Sequence, residues 1–261
     1  MAAGLPKTLQ RVKASSPALA WSRQQGAWAR AFVQLSLWKR RFRRFLCSIY
    51  AVSFCSLVVY QRQPDSLVAR HLDISQIANR ASSGVNIVCL GDSLTQGIGA
   101  TKGHDYPSLL SQVLGRPVIN AGVDGDETAD ALKRLESDVL AKDPRVVIVE
   151  LGANDFLDKQ PLEQAFENLD EIVRRIESHG AMVVLVGLAP GSLGDALQPS
   201  YDAIINKYHV AFVPKVLDDV ITNPTLKSND HLHPNDRGYA LIGERIERVV
   251  IPLLQQLKAV R

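Results

Sequence analysis

Residues 85–97 read VNIVCLGDSLTQG, an apolar run followed at once by a short polar segment with a glycine at each end. The run has the length and β-branched content of a buried strand. Ligand chemistry in α/β proteins lies at the carboxyl ends of parallel strands, and flanking glycines leave room for a tight turn. We interpret Ser93 as a candidate nucleophile. On this stretch alone, a helix N-cap is an equally good interpretation.

Segments of strand length alternate with helical patterns along the rest of the chain. The predicted strands span residues 85–90, 117–120, 145–151, 181–187 and 210–213. The predicted helices span residues 106–114, 128–141, 162–179, 200–207, 217–221 and 236–257, the last with a bend at Pro252. Continuously apolar strands separated by helices are typical of a parallel sheet with helices on both faces. The sequence therefore predicts an α/β fold with about five parallel strands.

The first 60 residues differ from the remainder in charge. They contain ten Lys or Arg and no Asp or Glu, which leaves 20 basic and 27 acidic residues for the rest of the chain. The formal net charge of +3 therefore comes from this N-terminal region and gives no reason to expect nucleic-acid binding. The chain also lacks a P-loop and a G-x-G-x-x-G pattern, which argues against a nucleotide site.

An uncharged, mostly apolar run at residues 45–60 follows the basic stretch at residues 39–44. As a helix it would span about 24 Å, slightly less than a hydrocarbon core of about 30 Å. We expect a signal anchor with its basic end in the cytoplasm; a cleaved signal peptide and a transit peptide are the alternatives. The main domain would then lie on the periplasmic side of the cell membrane, or be secreted if the segment is cleaved.

These features divide the chain into four predicted regions. Residues 1–44 are a basic, disordered region, residues 45–60 the apolar segment and residues 61–83 a linker with a short helix at 67–80. Residues 84–261 form the main domain. This domain contains only one cysteine, Cys89, so it has no internal disulfide.

Residues suited to acyl transfer follow the predicted strands. Ser93, Gly125 and Asn154 lie after the first three strands, and Asp230 and His233 precede the last helix. A serine hydroxyl needs a base such as histidine, and the base needs an acidic partner to fix its tautomer. We predict that His233 and Asp230 serve these roles and that His231 is a loop side chain. The candidate oxyanion donors are the N–H groups of Ser93 and Gly125 and the Asn154 amide.

Four blocks of the chain resemble the GDSL or SGNH serine hydrolases: residues 91–94, 120–126, 152–155 and 230–234. The resemblance covers about residues 85–257. It implies a flavodoxin-like three-layer α/β/α sandwich, a triad of Ser93, His233 and Asp230, and an oxyanion hole of Ser93, Gly125 and Asn154. Gly122 is the alternative donor to Gly125. The family block favours Gly125.

The chain is most similar to the bacterial exported acyl-thioesterases, lysophospholipases and arylesterases of this family, through residues 149–155 and 106–107. It departs from that subgroup at residues 156–160, where a Gly-Leu-Arg turn is often found. Because this loop borders the substrate region, the acyl-chain preference stays open.

We expect neither a metal nor another cofactor. Asp124, Asp126 and Glu127 form an acidic cluster, but carboxylates at a helix N-terminus usually complement the helix dipole. No cysteine and histidine spacing indicates zinc.

The sequence therefore predicts a metal-free serine esterase that hydrolyses ester or thioester bonds of acyl substrates. The alternatives are an O-acetyl esterase acting on cell-envelope glycans and an inactive, membrane-tethered binding module. Few aromatic residues occur in the main domain, which favours lipid or small esters over sugars. Protein partners cannot be identified from the sequence.

Overall fold

The computed structural model describes residues 74–189 and 191–259. The predicted basic region, the apolar segment at 45–60 and most of the predicted linker lie outside the described residues. Among the helices that are described, none combines the length and the apolar character needed to cross a bilayer.

A five-stranded parallel sheet forms the centre of the fold. Its strands are β1 (Asn86–Gly91), β2 (Val118–Gly122), β3 (Pro144–Glu150), β4 (Met182–Val186) and β5 (Ala211–Val213). The spatial order is β2-β1-β3-β4-β5, with β1 paired to β2 on one side and to β3 on the other. This is the flavodoxin-like order, in which ligands bind beyond the carboxyl ends of the strands.

Seven α-helices are described. They are α1 (Ser93–Gln96), α2 (Tyr106–Leu114), α3 (Thr128–Asp138), α4 (Ala153–Leu157), α5 (Leu162–Ser178), α6 (Gly191–Tyr208) and α7 (Asp236–Ala259). Short 3-10 turns occupy Ile74–Gln76, Leu140–Lys142 and Pro224–Leu226.

The helices cover both faces of the sheet, because successive strand residues point to opposite sides. One buried group joins the sheet to α2 and α7, and it includes Ile87, Cys89, Val146, Ile148, Tyr106, Leu110, Tyr239 and Ile246. The other joins the sheet to α3, α5 and α6, and it includes Val88, Leu90, Val147, Val149, Leu135, Ile172 and Ile204. The predicted α/β sandwich with five parallel strands is therefore confirmed.

Two predicted helices differ from the structure. Helix α6 begins at Gly191, nine residues earlier than expected, although Gly194 and Pro199 lie within it. Leu193 and Leu197 in this first half line an apolar cavity, so tertiary packing outweighs the poor helix propensity of glycine and proline. Residues 217–221 form turns, because Asp219 adopts a left-handed conformation (φ 64°) that interrupts a helix.

The segment before β1 also differs from its prediction. Its described part has a 3-10 turn and then Asn79 at φ 56°, so no α-helix reaches Arg80. Ile77 is buried, and the N–H of Ala78 donates to the carbonyl oxygen of His209. The residues that pack against the main domain therefore begin before residue 84, where the boundary of that domain was predicted. Helix α7 continues through Pro252 to Ala259.

Candidate active site

The turn between β1 and α1 holds Ser93 at the carboxyl edge of the sheet. Asp92 is the N-cap of α1, and its Oδ1 accepts the N–H of Leu94 at 2.9 Å. A Cβ atom at Gly91 would overlap the hydroxyl of Thr95, so this position requires glycine. The Ser93 side chain is thus placed by a turn with little freedom to move.

Ser93, His233 and Asp230 form a continuous chain of hydrogen bonds. The Nε2 atom of His233 lies 3.0 Å from the Oγ of Ser93, and its Nδ1 lies 2.7 Å from the Oδ2 of Asp230. The structure brings together the three residues predicted as a triad. His233 rather than His231 contacts the serine.

The Asp230 carboxylate is held by several donors besides His233. Its Oδ1 accepts the Ser228 hydroxyl at 2.7 Å and the N–H groups of Leu232 and His233 at 2.8 and 2.9 Å. The hydrogen bond from the His233 ring, followed by these others, holds the pKa of Asp230 well below its ordinary value. Asp230 therefore stays ionised and can stabilise a positively charged imidazole.

Local contacts fix the loop that carries Asp230 and His233. The N–H of Ser228 donates to the carbonyl oxygen of His233 at 2.9 Å, and Lys227 pairs with Pro234 in an antiparallel bridge. The Asn235 amide donates to the carbonyl oxygen of Lys227 at 2.8 Å. The loop thus presents the imidazole from a closed turn directly before α7.

Asn154 lies in the first turn of α4, directly after β3. Its Nδ2 donates to the carbonyl oxygen of Asp126 at 2.9 Å, which orients the amide, and the residue lines the same cavity as Ser93 and His233. A primary amide carries two hydrogens, so the second can be donated to a substrate.

The two glycines considered as backbone donors differ in their surroundings. The N–H of Gly122 donates to the Oδ1 of Asn120 at 2.9 Å, so it is already engaged. Gly125 lies in the loop before α3 with φ 81°, a conformation that favours glycine. This contrast supports Gly125 over Gly122, and the role of Gly125 stays a prediction.

The acidic cluster beside this loop has structural partners. Asp126 accepts the Nε of Arg134 at 2.6 Å, and Glu127 forms a capping box with Asp130 at the start of α3. Within the described part of the chain, no three His, Cys, Asp or Glu side chains are grouped to hold a metal ion.

Beneath the turn lies a buried polar group, and the sequence interpretation did not identify two of its members, Thr95 and Glu150. Asp92, Thr95 and Glu150 are all buried, and Thr95 donates to the Oε2 of Glu150 at 2.7 Å. Burial raises the pKa of Asp92 to about 7 and raises that of Glu150 well above its ordinary value. The signal available in the sequence was a single charged residue, Glu150, at the end of an apolar strand.

A cavity of about 410 Å³ opens at Ser93 and His233. Its walls come from the β3–α4 connection, α5, α6 and the turns at residues 217–221. The apolar lining residues include Leu151, Phe156, Leu157, Leu162, Phe166, Leu169, Leu188, Leu193, Leu197, Val220, Ile221 and Leu232. Phe166 and Tyr201, which both line the cavity, pack edge to face with ring centroids 5.0 Å apart. Such a cavity suits an apolar group attached to the reacting carbonyl.

The sequence matches known proteins across the region that forms this site. Residues 89–241 match the GDSL-like Lipase/Acylhydrolase family. An arylesterase from Vibrio mimicus is 32% identical over 184 residues, which cover 67% of this chain and 91% of that protein. The thioesterase 1/protease 1/lysophospholipase L1 of Escherichia coli strain K12 is 27% identical over 182 residues, which cover 67% and 88%.

The fold also matches a solved structure. The crystal structure of TesA superposes with a TM-score of 0.59 at 27% identity, covering 66% of this chain and 99% of that chain. The resemblance predicted from the four sequence blocks is confirmed by these matches.

Proposed function

The chain belongs to the GDSL-like lipase/acylhydrolase family, and from this premise we propose that Ser93 is the nucleophile that cleaves ester or thioester bonds of acyl substrates. The protein is a serine ester hydrolase, as its arylesterase and thioesterase relatives are named. The observation that carries the residue assignment is the hydrogen-bonded chain from Ser93 through His233 to Asp230.

The reaction begins with proton transfer from the Ser93 hydroxyl to the Nε2 of His233. The Ser93 oxygen then attacks the substrate carbonyl, while the ionised Asp230 stabilises the imidazolium through Nδ1. His233 returns the proton to the departing alcohol or thiol, which leaves an acyl group on Ser93. A water deprotonated by His233 attacks this acyl-enzyme, the bond to the Ser93 oxygen breaks, and His233 returns the proton to that oxygen as the acid leaves.

Negative charge develops on the carbonyl oxygen during both attacks. The Asn154 amide, already oriented by Asp126, and the N–H of Ser93 are the donors that we assign to this oxygen, with Gly125 as the third. Preorganised donors of this kind each contribute about 2.7–4 kcal/mol to the barrier reduction.

The acyl part of the substrate is assigned to the apolar cavity beside Ser93. Each methylene buried there stabilises binding by about 0.8 kcal/mol. The cavity supports a medium or long acyl chain over an acetylated sugar, because its mainly aliphatic and aromatic lining offers few partners for sugar hydroxyls.

We extend the proposal to the location of the enzyme. The basic residues 39–44 and the uncharged run at 45–60 support a signal anchor that places the catalytic domain outside the cytoplasm. Cell fractionation with a C-terminal epitope tag checks the location of the catalytic domain. Recovery of the full-length chain in the cytosol would contradict a signal anchor.

The test of the nucleophile compares Ser93→Ala with Ser137→Ala, a control at an exposed serine of α3. We expect Ser93→Ala to lower turnover of a p-nitrophenyl ester by about 10³-fold or more, with an unchanged circular dichroism spectrum. A fluorophosphonate probe should label the wild type and Ser137→Ala but not Ser93→Ala. A folded wild type that does not label would instead favour an inactive binding module.

A further inference from the structure

Two buried carboxyl groups, those of Asp92 and Glu150, interact electrostatically beneath the nucleophile. Gly91 of β1 is in register with Glu150 of β3, and Asp92 follows Gly91 directly. Asp92 is 0% exposed and Glu150 is 1% exposed. In the described structure, the Oδ2 of Asp92 and the Oε1 of Glu150 are both buried without a hydrogen-bond partner. Two ionised carboxylates in this setting would repel each other without solvation, so both cannot be charged.

The hydrogen bonds show which oxygens of the pair are already occupied. The hydroxyl of Thr95 donates to the Oε2 of Glu150 at 2.7 Å and lies 2.8 Å from the Tyr106 hydroxyl. Since Thr95 uses its proton on Glu150, Tyr106 must donate to Thr95. The donors therefore run toward the Oε2 of Glu150, which leaves its Oε1 and the Oδ2 of Asp92 as the two places for a proton.

Asp92 is the better site for the negative charge. Its Oδ1 accepts the N–H of Leu94 at 2.9 Å, at the N-terminal end of α1. The nearby imidazole of His233 also favours its ionised form. Burial and then the charge of Asp92 raise the pKa of Glu150 and outweigh the hydrogen bonds from Thr95, which lower it, so Glu150 keeps its proton.

The other titratable groups around the pair supply no cation to Glu150. Those that interact with either carboxyl are the thiol of Cys89, the phenols of Tyr106, Tyr201 and Tyr239, and the acids Asp124 and Asp126 in addition to His233. The guanidinium of Arg134 donates to the carbonyl oxygen of Gly91 and to the carboxylate of Asp126.

We propose that Glu150 is a neutral carboxylic acid in the working enzyme and donates its Oε1–H to the Oδ2 of Asp92. The Oδ1 of Asp92 accepts the N–H of Leu94, and this hydrogen bond fixes the loop conformation that orients Ser93. Glu150 is therefore a positioning residue, and it acts through Asp92. Only the activity measurement in its test rests on the proposed function.

The test compares Glu150→Gln with Glu150→Leu. The glutamine amide keeps a donor toward Asp92 and an acceptor for Thr95, so kcat/KM should stay within about threefold of the wild type. Leucine leaves the buried Asp92 without a partner, and kcat/KM should fall about tenfold or more, with little change in KM.

Infrared spectroscopy provides a second measurement that needs neither turnover nor the leucine variant. At about pH 8, where exposed carboxyls are ionised, the wild type should retain the carbonyl band of a protonated carboxylic acid. Glu150→Gln should lack this band. The proposal is overturned if the wild type has no such band, or if Glu150→Gln is as impaired as a folded Glu150→Leu.

The two proposals can fail separately. If Ser93→Ala retains ester turnover while the protonated-acid band is present and depends on Glu150, the assignment of the nucleophile fails and the buried acid stands. If Ser93→Ala is inactive but the band is absent, the assignment of the nucleophile stands and the proposal for Glu150 fails.

Discussion

The Nε2 of His233 lies 3.0 Å from the Oγ of Ser93, although 140 positions separate the two residues in the chain. The serine is held by the turn after β1, and the histidine by a closed loop before α7. Both loops lie at the carboxyl edge of the sheet, and α7 packs on the same face of the sheet as α2 does. The contact therefore depends on the parallel topology.

The choice between two neighbouring histidines gives a direct test of this contact. His233→Asn should lower kcat by about 10³-fold or more, because the Ser93 hydroxyl loses its base. His231→Asn is the matched control, since asparagine tolerates the left-handed conformation at this position (φ 59°). It should retain activity close to that of the wild type in the same ester assay. Equal losses in both variants would show that the loop, not the imidazole at position 233, is what matters.

Truncation of Asn154 tests the oxyanion donor. Asn154→Ala should lower kcat by about 10²–10³-fold with little change in KM, because the lost hydrogen bond strengthens only as charge develops. Steady-state kinetics on one ester at several concentrations separates the two parameters. Gln160→Ala, at an exposed position after α4, is the control. A rise in KM at constant kcat would assign Asn154 to ground-state binding.

Filling the cavity should change the preferred acyl length. Leu197→Trp adds a ring to the wall formed by α6, so long-chain p-nitrophenyl esters should lose activity and short ones should not. Each displaced methylene costs about 0.8 kcal/mol, or roughly fourfold in kcat/KM. Val113→Trp places the same residue on an exposed part of α2 that does not line the cavity. An unchanged ratio of long-chain to short-chain activity in Leu197→Trp would contradict the assignment of the cavity.

Glu177 on α5 should make stability depend on pH. Burial raises its pKa to about 7, and its Oε2 accepts the Asn79 amide at 2.7 Å. Because the native state holds this proton more tightly than the unfolded chain, stability falls as pH rises from about 4.3 toward 7. Glu177→Gln removes this loss without removing the acceptor for Asn79.

Thermal melting followed by circular dichroism checks this expectation. Glu177→Gln should melt on the order of 2–4 °C above the wild type at about pH 8 and equally at about pH 4. Glu167→Gln, on an exposed face of the same helix, should show no such pH-dependent difference. A lower melting temperature for Glu177→Gln at alkaline pH would mean that the ionised form is the stabilising one.

The sequence by itself determined the five strands, the longer helices between them and the residues of the candidate triad. Strand composition and helical periodicity are local properties, so the five strands were located within one or two residues. The Asp-x-x-His spacing is local as well, and it selected His233 over His231. The serine turn could be identified because glycine is required where a Cβ would meet Thr95.

The tertiary structure alone decided the start of α6, the cavity and the protonation of Glu150. Leu193 and Leu197 of α6 line the cavity together with side chains from distant elements. Glu150 is deprived of water by residues from β1, α1 and α2, and no local pattern shows that it lies in register with Gly91, the residue before Asp92. Burial and pKa depend on the sum of such surroundings, which exist only once the chain has folded.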